Sequence, residues 1–332
     1  MPISAIKYPS INAKLKGMYA KKIKNNDIQD LYKQDNLKSV IAILKNKDSN
    51  LKDIDENTDR QQIEELLNLE IIYDMQKIVK YLDKSDSKIF NILISKYEIN
   101  CIKKAIRLIY SQNKYDENIG VWTANIFKYL KGLEKVQNFE QLYKILDKTK
   151  YKKIIKKYVD NENIKNNIFE IENEFDKIYL KTIYESAGNK QLENMIGSEI
   201  DFTNIIWIYR MKEYYKFSED QIKEFIIDKS YLLSKNKINS LIKSQNIDEM
   251  NEILSSTPYS KLSSENIYDL ECKIRKYLYN LYKKNFKSNL LSINCIYAYL
   301  NLVEMENNDI ISIIEAVRYG IDKSKLIKKL LI

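Results

Sequence analysis

Histidine is missing from all 332 residues. That removes His-activated nucleophiles, imidazole general bases and every His-containing metal site. Glycine and proline are scarce, at six and three residues. Turn-rich β architectures need many of both, so the scarcity points to helices. No GxxxxGK[ST] or GxGxxG sequence occurs, and scattered glycines do not build a phosphate cradle. Cys101, Cys272 and Cys295 are odd in number and without CxxC spacing. They read as buried thiols of a reduced, cytoplasmic protein rather than as a disulfide framework. The longest uncharged run, 288–303, carries Ser292, Asn294 and Asn301. It falls short of the roughly 20 apolar residues that span a bilayer. Met1 leads into Pro2 and Ser4 with no apolar stretch, so neither a secretory leader nor a membrane crossing is expected.

What is present is a globular balance, 44% hydrophobic and 30% charged, in a chain long enough for up to three ordinary domains. The net charge of +9, from 55 basic and 46 acidic side chains, can steer a protein toward acidic partners. Lysine is spread along the chain with isoleucine and asparagine, however. Even Lys148 to Lys157 is interleaved with Tyr151, Ile154 and Ile155, so we read the excess as general composition rather than a built patch. The 26 tyrosines are expected mainly at core and half-buried positions. Acidic groups such as Glu64-Glu65 and Glu170-Glu172-Glu174 lie in charge-mixed helical settings and read as solvated faces, not catalytic dyads.

The chain repeats itself three times. Asn36 to Leu44, Asn138 to Leu146 and Asn246 to Leu254 align, with starts 102 and 108 residues apart. Each opens on Asn, whose side-chain oxygen can cap a helix, and Gln141 and Glu249 sit close to a capping-box position. Thr149-Lys-Tyr151 and Thr257-Pro-Tyr259 follow the second and third copies. A second landmark, Leu69-Glu70, Ile171-Glu172 and Leu270-Glu271, is expected to open long amphipathic helices. The third is the sharpest. Glu98-x-x-Cys101-Ile102 with Arg107 parallels Asp201-x-x-Asn204-Ile205 with Arg210, and Asp309-x-x-Ser312-Ile313 with Arg318. The acid is expected near a helix start, at the positive end of the dipole. The arginine cannot reach it along one helix, since nine residues rise about 13.5 Å, so it is expected to pair with another helix or an adjoining repeat. The units are expected at 1–119, 120–220 and 221–332, with boundaries near 117–122 and 218–221.

The opening Tyr8-Pro-Ser-Ile-Asn-Ala-Lys-Leu-Lys-Gly-Met18 resembles that of the V-type ATPase C subunit, the family to which the eukaryotic d subunit belongs. There a Tyr precedes an Ala–basic pair and a small residue before Met. The triplicated acid-x-x-Asn-Ile…Arg pattern and the Thr-Pro-Tyr after a Leu-rich helix are similar to that family's recurring features. The resemblance runs over essentially the whole chain. Cys101 and Ser312 depart from the Asn kept at Asn204, Glu98 replaces Asp, and the first unit lacks the Thr-x-Tyr turn.

The resemblance implies an all-α protein of three similar helical-bundle domains in a pseudo-threefold, funnel-like arrangement. It implies a non-catalytic central-rotor subunit of a V-type ATPase or ATP synthase, passing torque between central-stalk subunits of the D/F type and the membrane proteolipid ring. One copy per complex, peripheral on the cytoplasmic face, goes with that role. No catalytic residue, cofactor, metal, small-molecule substrate or nucleic acid is implied. Glu98, Arg107, Asp201, Asn204, Arg210, Asp309 and Arg318 become repeat-signature residues with structural or interface roles. Without the resemblance, two other classes stay open: a general helical scaffold, and a basic nucleic-acid-binding protein, which would need a clustered basic face.

Overall fold

Short polar side chains set the helix starts. Asn36, Asn138 and Asn246 each accept a hydrogen bond from the backbone N–H three residues on, at 2.8, 2.9 and 3.0 Å. Each satisfies a donor that the first helical turn leaves unpaired. Gln141 and Glu249 reach back as expected, but onto the N–H of Gln137 and Gln245, one residue before the capping Asn.

A computed structural model describes residues 9–111, 126–159, 168–288 and 292–331. Among these the chain is all-α, with no strand. The helices are α1 Pro9–Tyr19, α2 Asn25–Tyr32, α3 Leu37–Lys47, α4 Arg60–Val79, α5 Lys84–Ser111, α6 Phe139–Leu146, α7 Lys152–Val159 and α8 Ile168–Glu185. They continue with α9 Lys190–Glu213, α10 Glu219–Phe225, α11 Lys235–Lys243, α12 Ile247–Ser255, α13 Ile267–Ser288, α14 Asn294–Arg318 and α15 Lys323–Ile327. The unit boundary expected near 117–122 lies outside the described residues. At the one expected near 218–221, Ser218 and Gln221 form a reciprocal capping box that opens α10.

The chain divides into two compact units, Asn57–Thr182 and the remainder, Met1–Glu56 with Ile183–Ile332. In the first of these, α5 packs against α4, α6 and the turn at Leu133–Lys135. In the other, α9 packs against α11, α13 and α14, while α14 also receives α1, α2 and α3. Helix α14 is buried on almost every side, from Cys295, Ile296 and Leu302 to Ile310, Ile313 and Ile314. A helix that is apolar all round belongs in a core. The long uncharged run of the sequence therefore opens a core helix, and no described helix is long and apolar enough to cross a membrane.

One expectation about the long helices needs correction. Leu69-Glu70 does not open α4, which begins at Arg60 behind the capping box of Asp59 and Gln62. Ile171-Glu172 and Leu270-Glu271 lie a turn inside α8 and α13. The second landmark marks a helix face, not a helix start.

Candidate functional site

The signature acids are not at helix starts either. Glu98, Asp201 and Asp309 sit well inside α5, α9 and α14, far from any free N–H of a first turn. They are buried, at 8, 0 and 1% exposure. A buried carboxylate has to be hydrogen-bonded, and each one is.

Asp201 shows most clearly what the pattern does. Its Oδ1 accepts from the backbone N–H of Tyr231 at 2.9 Å, and its Oδ2 from those of Leu232 at 2.7 Å and Leu233 at 3.3 Å. The hydroxyl of Tyr259 donates to the same Oδ2 at 2.8 Å. One turn on, Asn204 donates to the carbonyl of Ile227 at 3.0 Å and accepts from its N–H at 2.8 Å. Residues three apart share a helix face, so acid-x-x-Asn is a two-point grip on the extended segment after α10. Burial raises the Asp201 pKa above the ordinary aspartate value, and its hydrogen bonds pull against that rise. Burial likewise pushes the Tyr259 hydroxyl upward, with the adjacent Asp201 adding to it, so it remains a donor. A carboxylate filled by four donors serves as an anchor and not as a general base.

The first copy is a variant of this grip. Glu98, one methylene longer, receives the hydroxyls of Tyr151, at 2.6 Å, and of Tyr129. Cys101 stands where Asn204 grips a peptide; burial pushes its thiol up to about 12, which leaves it protonated and inert. Thus Thr149-Lys-Tyr151 and Thr257-Pro-Tyr259, read as separate landmarks, supply the tyrosines that the signature acids accept from. In the third copy Asp309 accepts from Arg275 Nη1 at 2.5 Å and from the N–H of Leu331 at 3.0 Å. Arg275 also donates to the carbonyls of Met305 and Lys329, so this acid anchors the last residues of the chain. Ser312 bonds back to the carbonyl of Asn308, within its own helix.

The arginines join the third landmark to the second. Arg107 makes a two-pronged contact with Glu172, Nε to Oε1 at 2.6 Å and Nη2 to Oε2 at 2.8 Å. Arg210 holds Glu271 Oε1 through Nε at 3.1 Å and Nη2 at 2.6 Å. Each pair therefore links one sequence copy to the next. Arg318 is placed differently, donating to Glu315 one turn back at 3.0 Å. Beside Arg210 and Glu271 lies an open groove of about 460 Å³, lined also by Tyr214, Tyr215, Ile267 and Tyr268. These three tyrosines are exposed.

Sequence reasoning missed Gly197, one turn before Asp201 on the same face. A Cβ there would lie 2.5 Å from Cβ of Tyr231. The missing side chain lets the gripped segment lie against the α9 backbone, and a glycine inside a helical pattern was the available signal. The three cysteines are buried and outside any disulfide. No cluster of three metal-ligating side chains occurs among the described residues.

Curated relatives match nearly the whole chain in sequence. The A-type ATP synthase C subunit of Pyrococcus abyssi is 23% identical over 335 residues, covering 96% of this chain and 88% of that protein. The same protein of Methanosphaera stadtmanae is 22% identical, covering 98% and 87%. That of Methanocaldococcus jannaschii is 23% identical, covering 82% and 70%. Residues 11–329 match the family model described as ATP synthase (C/AC39) subunit, and the chain belongs to that family.

Proposed function

We propose that this protein is the non-catalytic coupling subunit of a rotary A/V-type ATPase or ATP synthase, joining central-stalk subunits to the membrane proteolipid ring on its cytoplasmic face. The family match over residues 11–329 carries this reading. The use of the buried acids supports it. Glu98, Asp201 and Asp309 hold segments onto long helices, which is the work of a stiff body and not of a reaction centre. Close-packed helices transmit strain, and slip is resisted by many distributed contacts with complementary charge.

The sequence copies at 1–119, 120–220 and 221–332 are part of this proposal, with one refinement suggested by packing. The second long helix of each copy receives short helices: α6 on α5, α11 on α9, and the N-terminal α1 to α3 on α14. The packed module is then two long helices with the short helices that follow, and the N-terminal segment serves the last module.

A partner contact is proposed at the groove beside Arg210 and Glu271. Exposed tyrosines bring contact area and a polar tip at little entropic loss, as protein interfaces favour. The test is affinity purification of the tagged chain from membranes of a producing cell. Stalk and ring subunits should accompany it, and the pure chain should hydrolyse no ATP. Isolation of the intact, coupled ATPase without this chain would overturn the proposal.

A further inference from the structure

The chain's positive charge has an address. Between α5 and α8, residues 126–159 hold ten lysines against three acids, a net +7 of the chain's +9. The short-helix segments in the equivalent place of the other copies differ sharply. Residues 9–56 carry ten lysines against seven acids, +3, and residues 219–262 carry six against seven, −1. A composition shared by the whole chain would have charged all three alike. The expectation of evenly spread lysine is thereby corrected.

Folding sharpens the contrast. Tyr151, Ile154 and Ile155, which break up the lysine run in sequence, are 1, 3 and 0% exposed. Ile154 and Ile155 form the buried face of α7 with Tyr158, and Tyr151 is buried just before it, so the lysines are left on the outer side. Some are already occupied. Lys144 pairs with Glu140, Lys152 with Asp147 and Lys157 with Glu174, while Lys150 lies over the Tyr151 ring at 5.1 Å. Lys148, Lys153 and Lys156 are exposed and form no ion pair among the described residues.

The make-up of the patch tells against recognition of one phosphate or one base. It contains no arginine, so no planar fork grips a phosphate in two places. On α7 and at its start, Tyr151 and Tyr158 are buried and offer no ring on which a base can stack; the exposed Tyr129 lies outside this helix, its hydroxyl donating to Glu98. What α7 presents is a row of flexible ammonium groups on a convex helix face. Such groups suit a diffuse layer of negative charge, toward which each lysine adds attraction without a fixed geometry. The apolar face of α7 is committed to the core, which leaves nothing to insert into an acyl layer.

We infer that the outer face of α7 and the turn before it, through Lys148, Lys153 and Lys156, is an electrostatic docking surface for the headgroups of anionic phospholipids. This goes beyond the proposed coupling role and does not need the rest of the complex.

The test is co-sedimentation of the purified full-length chain with vesicles of phosphatidylcholine, with or without about one-third phosphatidylglycerol. Binding to the anionic vesicles should be at least about tenfold stronger and should fade as salt rises from about 50 to about 200 mM. The K148E/K153E/K156E variant should lose about tenfold, and the corresponding triple Gln variant should lose less, since it removes charge without reversing it. K235E/K243E/K261E changes the net charge equally in a different short-helix segment and should bind like the parent. Thermal melts of each variant at the parental temperature confirm folding. Equal loss in both Glu variants would reduce the effect to net charge and overturn the proposal. So would indifference to lipid charge, or tighter binding to duplex DNA than to anionic vesicles at matched salt.

Discussion

Asn204 makes both of its bonds to the backbone of one buried residue, Ile227. Replacing it by Ala leaves a buried N–H and a buried carbonyl unpaired, a loss of about 2–4 kcal/mol. Urea unfolding should show it as a lower midpoint at unchanged slope, and a midpoint within error of the parent would refute the grip. A second residue sets a pH response. Glu306 of α14 accepts from the Tyr19 hydroxyl of α1 at 2.5 Å, while its other oxygen is buried with no partner among the described residues. Burial lifts its pKa to about 7, with Asp309 raising it further and the Tyr19 hydrogen bond, Lys283 and Lys22 opposing. The folded pKa lies above the unfolded one, so the stabilisation is full below the unfolded value near 4.5 and is lost as pH rises through about 7. Glu306→Gln keeps an acceptor for Tyr19 and removes the titration. Its melting temperature should exceed the parent's by about 3 °C or more at about pH 8 and converge with it near pH 5. Parallel curves would show that Glu306 does not carry the dependence.

Helices and the segments between them meet where side chains are missing or reach across. Gly197→Leu should destabilise by more than about 2 kcal/mol, because the first added carbon already meets Tyr231. Ala should do the same to a smaller extent, and an unchanged melt for both would mean that the close approach is not needed. The arginine links should behave in the opposite way. Arg107 and Arg210 side chains are 61 and 47% exposed, so water screens both contacts. Arg210→Ala should cost less than about 1 kcal/mol, as exposed ion pairs do. A much larger loss would indicate a role beyond the contact with Glu271. The capping asparagines were legible in sequence because a cap is local, three residues from its partner. The starts of α4, α8 and α13 were misplaced because a shared helix face was taken for a shared helix end.

At the scale of the whole molecule, burial is nearly continuous along α14, and buried acids hold other segments onto α5, α9 and α14. If the groove beside Arg210 takes a stalk or ring partner, the triple Ala variant of Tyr214, Tyr215 and Tyr268 should fold normally. It should nonetheless retain several-fold less of that partner in affinity purification, since exposed aromatics often carry binding energy out of proportion to their number. Undiminished retention would move the contact elsewhere.

The amino-acid sequence by itself determined the all-α class and the three ordered landmarks, because helix periodicity and caps are written at short range, and the family entered through the resemblance of those landmarks and of the opening segment. The sequence also placed Glu98, Arg107, Asp201, Asn204, Arg210, Asp309 and Arg318 in register. What each side chain holds was decided only in three dimensions. The partners of Asp201 are 30 to 58 residues away, and no local pattern names a partner at that distance. The charge of α7 was likewise hidden. Tyrosine and isoleucine dilute lysine along the chain, and only folding turns them inward and leaves the lysines facing water.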